Sequence, residues 1–206
     1  MITKVELYKK EDIKTALVAL HDLAENAENC ILSLQTAFIY SKTTPLKGCR
    51  EVIKNIKREG VELTKKLTDI VYDNAGVKCY VSVPGHLLII GEYLEKIADL
   101  VEEKIIGNIL FSDKAEKETM FLLQRLSEIL WTASSLILAR NTFLGMYIEE
   151  ATSNLEKMAD EYATLHQERL IEGLCLPVAS SVYINMLNAI KNVAWHIKEI
   201  ARHLAG

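Results

Sequence analysis

Glu92, Glu95, Asp99 and Glu102 stand three, four and three residues apart. On a helix that spacing lines four carboxylates along one face. Like charges so placed repel, and a cation bridging them removes the cost. Oxygen-rich clusters suit hard or borderline ions, so Mg, Mn, Fe and Zn are the candidate metals. One helix cannot complete a coordination shell. Asp69 and Asp73, or Asp22 and Glu25, are chemically suitable neighbours for the remainder. The same stripe also reads as a solvated acidic flank, which is what charge stripes on helices commonly are. Lys96 and Lys104 fall off it.

Other residues carry weaker signals. His196 and Glu199, three apart beside Trp195, could form a metal or acid/base pair, or simply a surface or groove contact. His86 stands near a helix start, where a cap or surface role is the plain reading, and the remaining histidines carry no spacing signal. Ferritin-like di-iron chemistry needs Glu-x-x-His. Here Val18, Val83, Ala163, Val193 and Ile200 stand three before the five histidines, so that motif is absent. No Walker-type phosphate loop or nucleophile elbow occurs either. Ser134 and Ser135 have no evident base partner and read as small residues permitting close helix approach. Trp131 and the methionines, at helical spacing, are expected in the core.

The elements that must position the stripe are helices. Only 9 Gly and 3 Pro in 206 residues leave little room for a turn-rich β fold, and half the residues are hydrophobic. A length of this order permits one large domain or two small ones. Ile13, Leu17, Leu20, Ala24, Ala27, Ile31, Leu34 and Phe38 step by three or four, the signature of one long helix. Pro45 opens a second, with Val52, Ile56, Leu63, Leu67 and Ile70, Gly60 as its weak spot and Asn74-Ala75-Gly76 as its stop. Pro84 opens a third, carrying Leu87, Ile90, Leu94, Ile97, Val101 and Ile105. Ser112 and Asp113 are candidate caps for a fourth, and Asp113 with Glu116 has capping-box spacing. A fifth carries Leu144, Ile148, Leu155, Met158 and Leu165, and Pro177 opens a sixth. Residues 1–10 do not join the pattern.

The third and sixth helices look like copies. Pro84 and Pro177 are 93 positions apart, and the same offset pairs Leu94 with Leu187 and Ile97 with Ile190. It also pairs Glu92, Glu95 and Asp99 with Asn185, Asn188 and Asn192. The expected fold is therefore all-α, six long helices forming two pseudo-repeated antiparallel three-helix bundles. Residues 1–108 would make the first bundle and 109–206 the second, packed as one compact unit.

The net charge of −4 and a pI near 5.8 argue against a nucleic-acid-coating protein. Charges near the N-terminus stand where a signal peptide needs an apolar stretch, and no uncharged run reaches the roughly 18 residues of a spanning helix. Membrane insertion is not expected, and a cytoplasmic location is. Cys30, Cys49, Cys79 and Cys175 form no Cys-x-x-Cys motif and read as thiols of a reducing compartment.

Leu94-Glu95-Lys96-Ile97-Ala98-Asp99, after Glu92-Tyr93, resembles the Leu-Glu-Arg-Ile-Gly-Asp segment of PhoU proteins, the phosphate-uptake regulators. Accessory proteins of phosphate permeases look similar at this level. The resemblance implies two three-helix bundles, each ending in a helix with a Glu/Asp-x-x-x-Asp motif. It implies a metal site at Glu95 and Asp99, with Glu92 close by, and a weak or absent site at Asn188 and Asn192, whose amides bring no charge. It further implies a non-catalytic regulator of phosphate uptake or signalling, contacting a phosphate transporter component and a sensor kinase. A homodimer stays open. The competing readings are a metal-free helical scaffold and, from another class, a metal-dependent hydrolase using the stripe.

Overall fold

The computed structural model describes the backbone of residues 4–73 and 75–205, and the side chains of 11–70 and 76–205. Six α-helices follow one another: α1 Lys4–Tyr40, α2 Thr44–Asp73, α3 Val83–Ile106, α4 Asp113–Ala139, α5 Thr142–Ile171 and α6 Pro177–Ala205. There is no strand among the described residues. The single extra element is a 3-10 helix, Ala75–Tyr80, between α2 and α3. The helix α1 begins at Lys4, so it takes in most of the ten residues that periodicity left unassigned. At 37 residues it is about 55 Å long.

Local chemistry sets the helix ends. Pro84 stands inside the first turn of α3, behind Ser82 at the N-cap. The α4 cap is Ser112, whose side chain accepts from the Ala115 amide, while Asp113 and Glu116 lie in the first turn beside the helix dipole. Of the two candidate caps Ser112 is the one used, and with Ala115 at the third helical position the Asp113–Glu116 pair forms no capping box. Asn141 caps α5 by accepting from the Phe143 amide. The helix α2 runs through Gly60 unbroken, and a Cβ there would lie 2.9 Å from two Leu88 side-chain carbons. The glycine lets α2 and α3 approach closely. Of the predicted stop, Asn74 lies outside the described residues.

Helices α1, α2 and α3 pack on one another, as do α4, α5 and α6, and α3·α6 and α1·α4 join the two sets. The two central helices are buried on more than one side. Gly91, Ala98 and Leu100 of α3 are buried beside the Leu87, Ile90, Leu94 stripe. Lys104 is buried too, its ammonium 5.0 Å from the Phe38 ring centre and 5.3 Å from that of Phe111, with Glu116 3.4 Å away. Its stem and charge tie α3 to α1 and α4.

Three expectations change. Met146, expected in the core with the other methionines, is 63% exposed. Trp131 is 60% exposed, because the core face of α4 is Leu122, Leu126, Ile129, Leu130, Ala133 and Ile137, and residue 131 turns away from it. Cys30 and Cys49 are not thiols but a buried disulfide. They lie 19 residues apart across the α1–α2 turn, and only the antiparallel hairpin brings their Cα atoms to 4.5 Å. Cys79 and Cys175 remain thiols.

Candidate functional site

The stripe lies where α3 runs antiparallel to α2. Leu94, Ile97 and Val101 are buried, which fixes the rotation of α3 and turns Glu92, Glu95 and Asp99 outward along its flank. Across from them α2 presents cations, not carboxylates. Arg50 donates from Nη1 to Asp99 Oδ1 at 2.7 Å and from Nη2 to Glu102 Oε2 at 2.6 Å. Lys57 donates from Nζ to Glu95 Oε2 at 2.5 Å. Glu92 faces solvent without an ionic partner among the described residues. The Arg50 guanidinium is pushed above its ordinary range, first by its hydrogen bond to Asp99 and despite partial burial. Arg50 and Lys57 stand seven apart, two turns of one α2 face, a spacing visible in the chain but informative only once α2 is set against α3.

These pairs are half exposed: the side chains of Lys57 and Glu95 are 42% and 40% accessible, and Asp99 is 60% accessible. Each is worth about 0–1 kcal/mol to the fold. Their chief effect is on what the stripe can hold. The oxygen donors suit a hard cation, but such an ion would have to compete with Lys57 for Glu95 and with Arg50 for Asp99. Asp69 is exposed and joins no cluster, and the Asp73 side chain lies outside the described residues. Asp22 and Glu25 gather instead around His21 on α1, at 3.1 and 3.5 Å from its ring nitrogens. Among the described residues this is the group that brings three donor atoms within 4.8 Å of one another, and it is solvent-facing.

The second set of helices reverses the polarity. Here the acids are on α5 and the bases on α6: Asp160 with Lys191, Glu156 with Lys198, and Glu149 with Arg202. Asn185 and Asn188 are exposed, and the Asn192 amide donates to the Asn188 carbonyl at 2.7 Å. The amides at the positions offset by 93 thus face outward as the carboxylates do, without a cationic partner.

Of two further polar clusters, only the second was foreshadowed in the chain, by His196 and Glu199. Glu118, Arg169 and Tyr183 join α4, α5 and α6 inside the second set. Arg169 donates from both Nη atoms to Glu118, at 3.1 and 2.9 Å, and the Tyr183 hydroxyl donates to Glu118 at 2.5 Å. Burial first, and then the Glu118 bond, push the Tyr183 phenol far above its ordinary value. Next to it His166 Nε2 meets Ser180 Oγ at 2.9 Å, and burial lowers the His166 pKa. At the α3·α6 contact, His86 is no cap. Its Nδ1 lies 3.0 Å from Nδ1 of His196, which is buried at 8% exposure. Glu199 is held by Arg202 at 2.6 Å.

No family model and no curated protein matches the sequence. Among solved structures, the chain is similar to the crystal structure of PhoU from Pseudomonas aeruginosa, with a TM-score of 0.82 and 14% sequence identity. That alignment covers 96% of this chain and 95% of the other. With six helices in the same arrangement over nearly all of both chains, the protein has a PhoU-like all-α bundle fold.

Proposed function

We propose that this protein is a PhoU-like regulator of phosphate uptake or signalling, acting through protein–protein contacts and not through catalysis. The observation that carries the reading is the likeness to PhoU along 96% of the chain, joined to the Glu95–Asp99 segment on α3. At 14% identity the likeness speaks for fold, so partner and chemistry rest on the test. The partners in this reading are a phosphate transporter component and a sensor kinase of the same cell, and the site of action is the cytoplasm. No helix of the described residues is long and apolar enough to cross a membrane. Purified protein is expected to bind the transporter's cytoplasmic component or the kinase, and to do so differently with and without phosphate. Absence of binding to both under either condition would sink the reading.

Within this proposal, Glu95, Asp99 and Glu92 would hold a metal ion, of Fe, Zn, Mn or Mg type, once Lys57 and Arg50 release the carboxylates. Elemental analysis of protein purified without chelator should find metal that Glu95→Ala/Asp99→Ala loses. Removing the competitors, in Arg50→Ala/Lys57→Ala, should raise its affinity for Mn several-fold. The salt bridges favour a second reading, a metal-free scaffold in which the stripe only fastens α3 to α2. That reading requires metal-free protein and no gain of affinity in the double variant. A phosphatase assay with added Mn or Mg, repeated on Glu95→Ala/Asp99→Ala, tests the hydrolase alternative. Activity lost with the stripe would overturn the non-catalytic assignment.

A further inference from the structure

Three of the five histidines meet at one end of the α3·α6 contact. The His86 ring centre on α3 lies 5.3 Å from that of His196 and 5.7 Å from that of His203, both on α6. The His86 and His196 Nδ1 atoms face each other at 3.0 Å and have no other polar partner among the described residues. Trp195 stacks edge-on against His196 with ring centres 4.7 Å apart, and Tyr93 lies 6.2 Å from the same ring. One side of the cluster is therefore walled by aromatic surface, while His203 is exposed and leaves the other side open.

Two imidazole nitrogens pointed at one another need a shared proton or a metal ion between them. A tetrahedral Zn-type ion holds nitrogens at about 2.0–2.1 Å, which places two such ligands about 3.3 Å apart. The observed separation is close to that, and imidazole is the ligand class such ions prefer over the oxygen set of the α3 stripe. We propose that His86 and His196, with His203 turning in as a third ligand, form a binding site for a borderline divalent cation, Zn2+ in the first instance, that bridges the two sets of helices. The Glu199 carboxylate, held by Arg202, acts on both inner rings electrostatically and would favour the added charge. The ion would clamp α3 to α6 and so fix how the two bundles sit. The opposite end of the same helix pair brings Glu102 and Glu103 to Val178 with no imidazole, so the cluster belongs to this chain's residues and not to the helix packing as such.

Untagged, chelator-stripped protein should be titrated with Zn2+ by calorimetry and with Co2+ by its visible absorption. In Glu95→Ala/Asp99→Ala, which lacks the stripe site of the proposed function, one equivalent per chain is expected. His86→Gln and His196→Gln should each weaken binding at least tenfold, and His203→Gln several-fold. His21→Gln in the same background should leave that equivalent in place, which separates this site from both acidic clusters. In Trp131→Phe, where every proposed ligand is intact, Co2+ should quench the emission of Trp195. This readout stands if a histidine variant fails to fold. Binding that survives both His86→Gln and His196→Gln in the Glu95→Ala/Asp99→Ala background, or emission unchanged at saturating Co2+, would overturn the site. So would the absence of binding to folded parent protein, which would leave the pair as two rings sharing a proton.

Discussion

Single residues fix the α1–α2 hairpin covalently. The Cys30–Cys49 bridge closes a loop of 19 residues, and constraining the unfolded chain over that length is worth roughly 3 kcal/mol. Both side chains are fully buried, so reduction must wait for the hairpin to open. Thiol titration in denaturant should therefore count two groups per chain without reductant, Cys79 and Cys175, and four after reduction. Four before reduction would remove the bridge. Cys30→Ala/Cys49→Ala should unfold at lower denaturant, by roughly 3 kcal/mol extrapolated to water. Such a loss exceeds what any one pair of the α3 stripe can supply, since half-exposed pairs reach about 1 kcal/mol at most.

At the scale of elements, the strongest polar fastening joins α4, α5 and α6. Glu118 is 5% exposed and takes three hydrogen bonds from Arg169 and Tyr183. Glu118→Ala leaves the Arg169 charge buried and unpaired, which should cost about 3–5 kcal/mol in urea unfolding at neutral pH. Tyr183→Phe deletes one charged hydrogen bond and should cost about 1.5–3 kcal/mol. The phenol also sets a pH dependence. Its folded pKa is raised above the ordinary value of 10.0 by burial and by Glu118, so above that pH the unfolded chain releases a proton that the folded chain keeps. Stability should then fall as pH rises past about 10. Tyr183→Phe should flatten that fall, with a residual slope from Tyr80 and Tyr162, whose pKa values are also raised. An unchanged alkaline slope in the variant would contradict the assignment. None of this network was legible in the chain: Glu118, Arg169 and Tyr183 are spaced too far apart to show any period. The helices themselves were legible, because apolar residues at three and four spacing report burial locally. The stripe's carboxylates were legible for the same reason, whereas their Arg50 and Lys57 partners depend on how α2 is set against α3. Trp131 was misread because a large apolar side chain says nothing about which way its helix is turned.

At the scale of the whole molecule, α3 and α6 decide whether the two sets of helices are separable. Each is buried both within its own set and against the other, and α1 packs on α4 as a second seam. Cutting the chain between residues 108 and 109 would expose the α6-facing side of α3 along its length. The halves should therefore unfold together. The two tryptophans, Trp131 and Trp195, both lie in the second set, whereas far-UV circular dichroism weighs all six helices. Urea transitions followed by tryptophan emission and by circular dichroism should coincide, and calorimetric and van't Hoff enthalpies should agree, as for one cooperative unit. If dichroism instead kept a second step after emission was complete, the first three helices would be stable without α6. The α3·α6 contact would then be an interface between independent domains, and a cation at His86 and His196 would control their docking but not their folding.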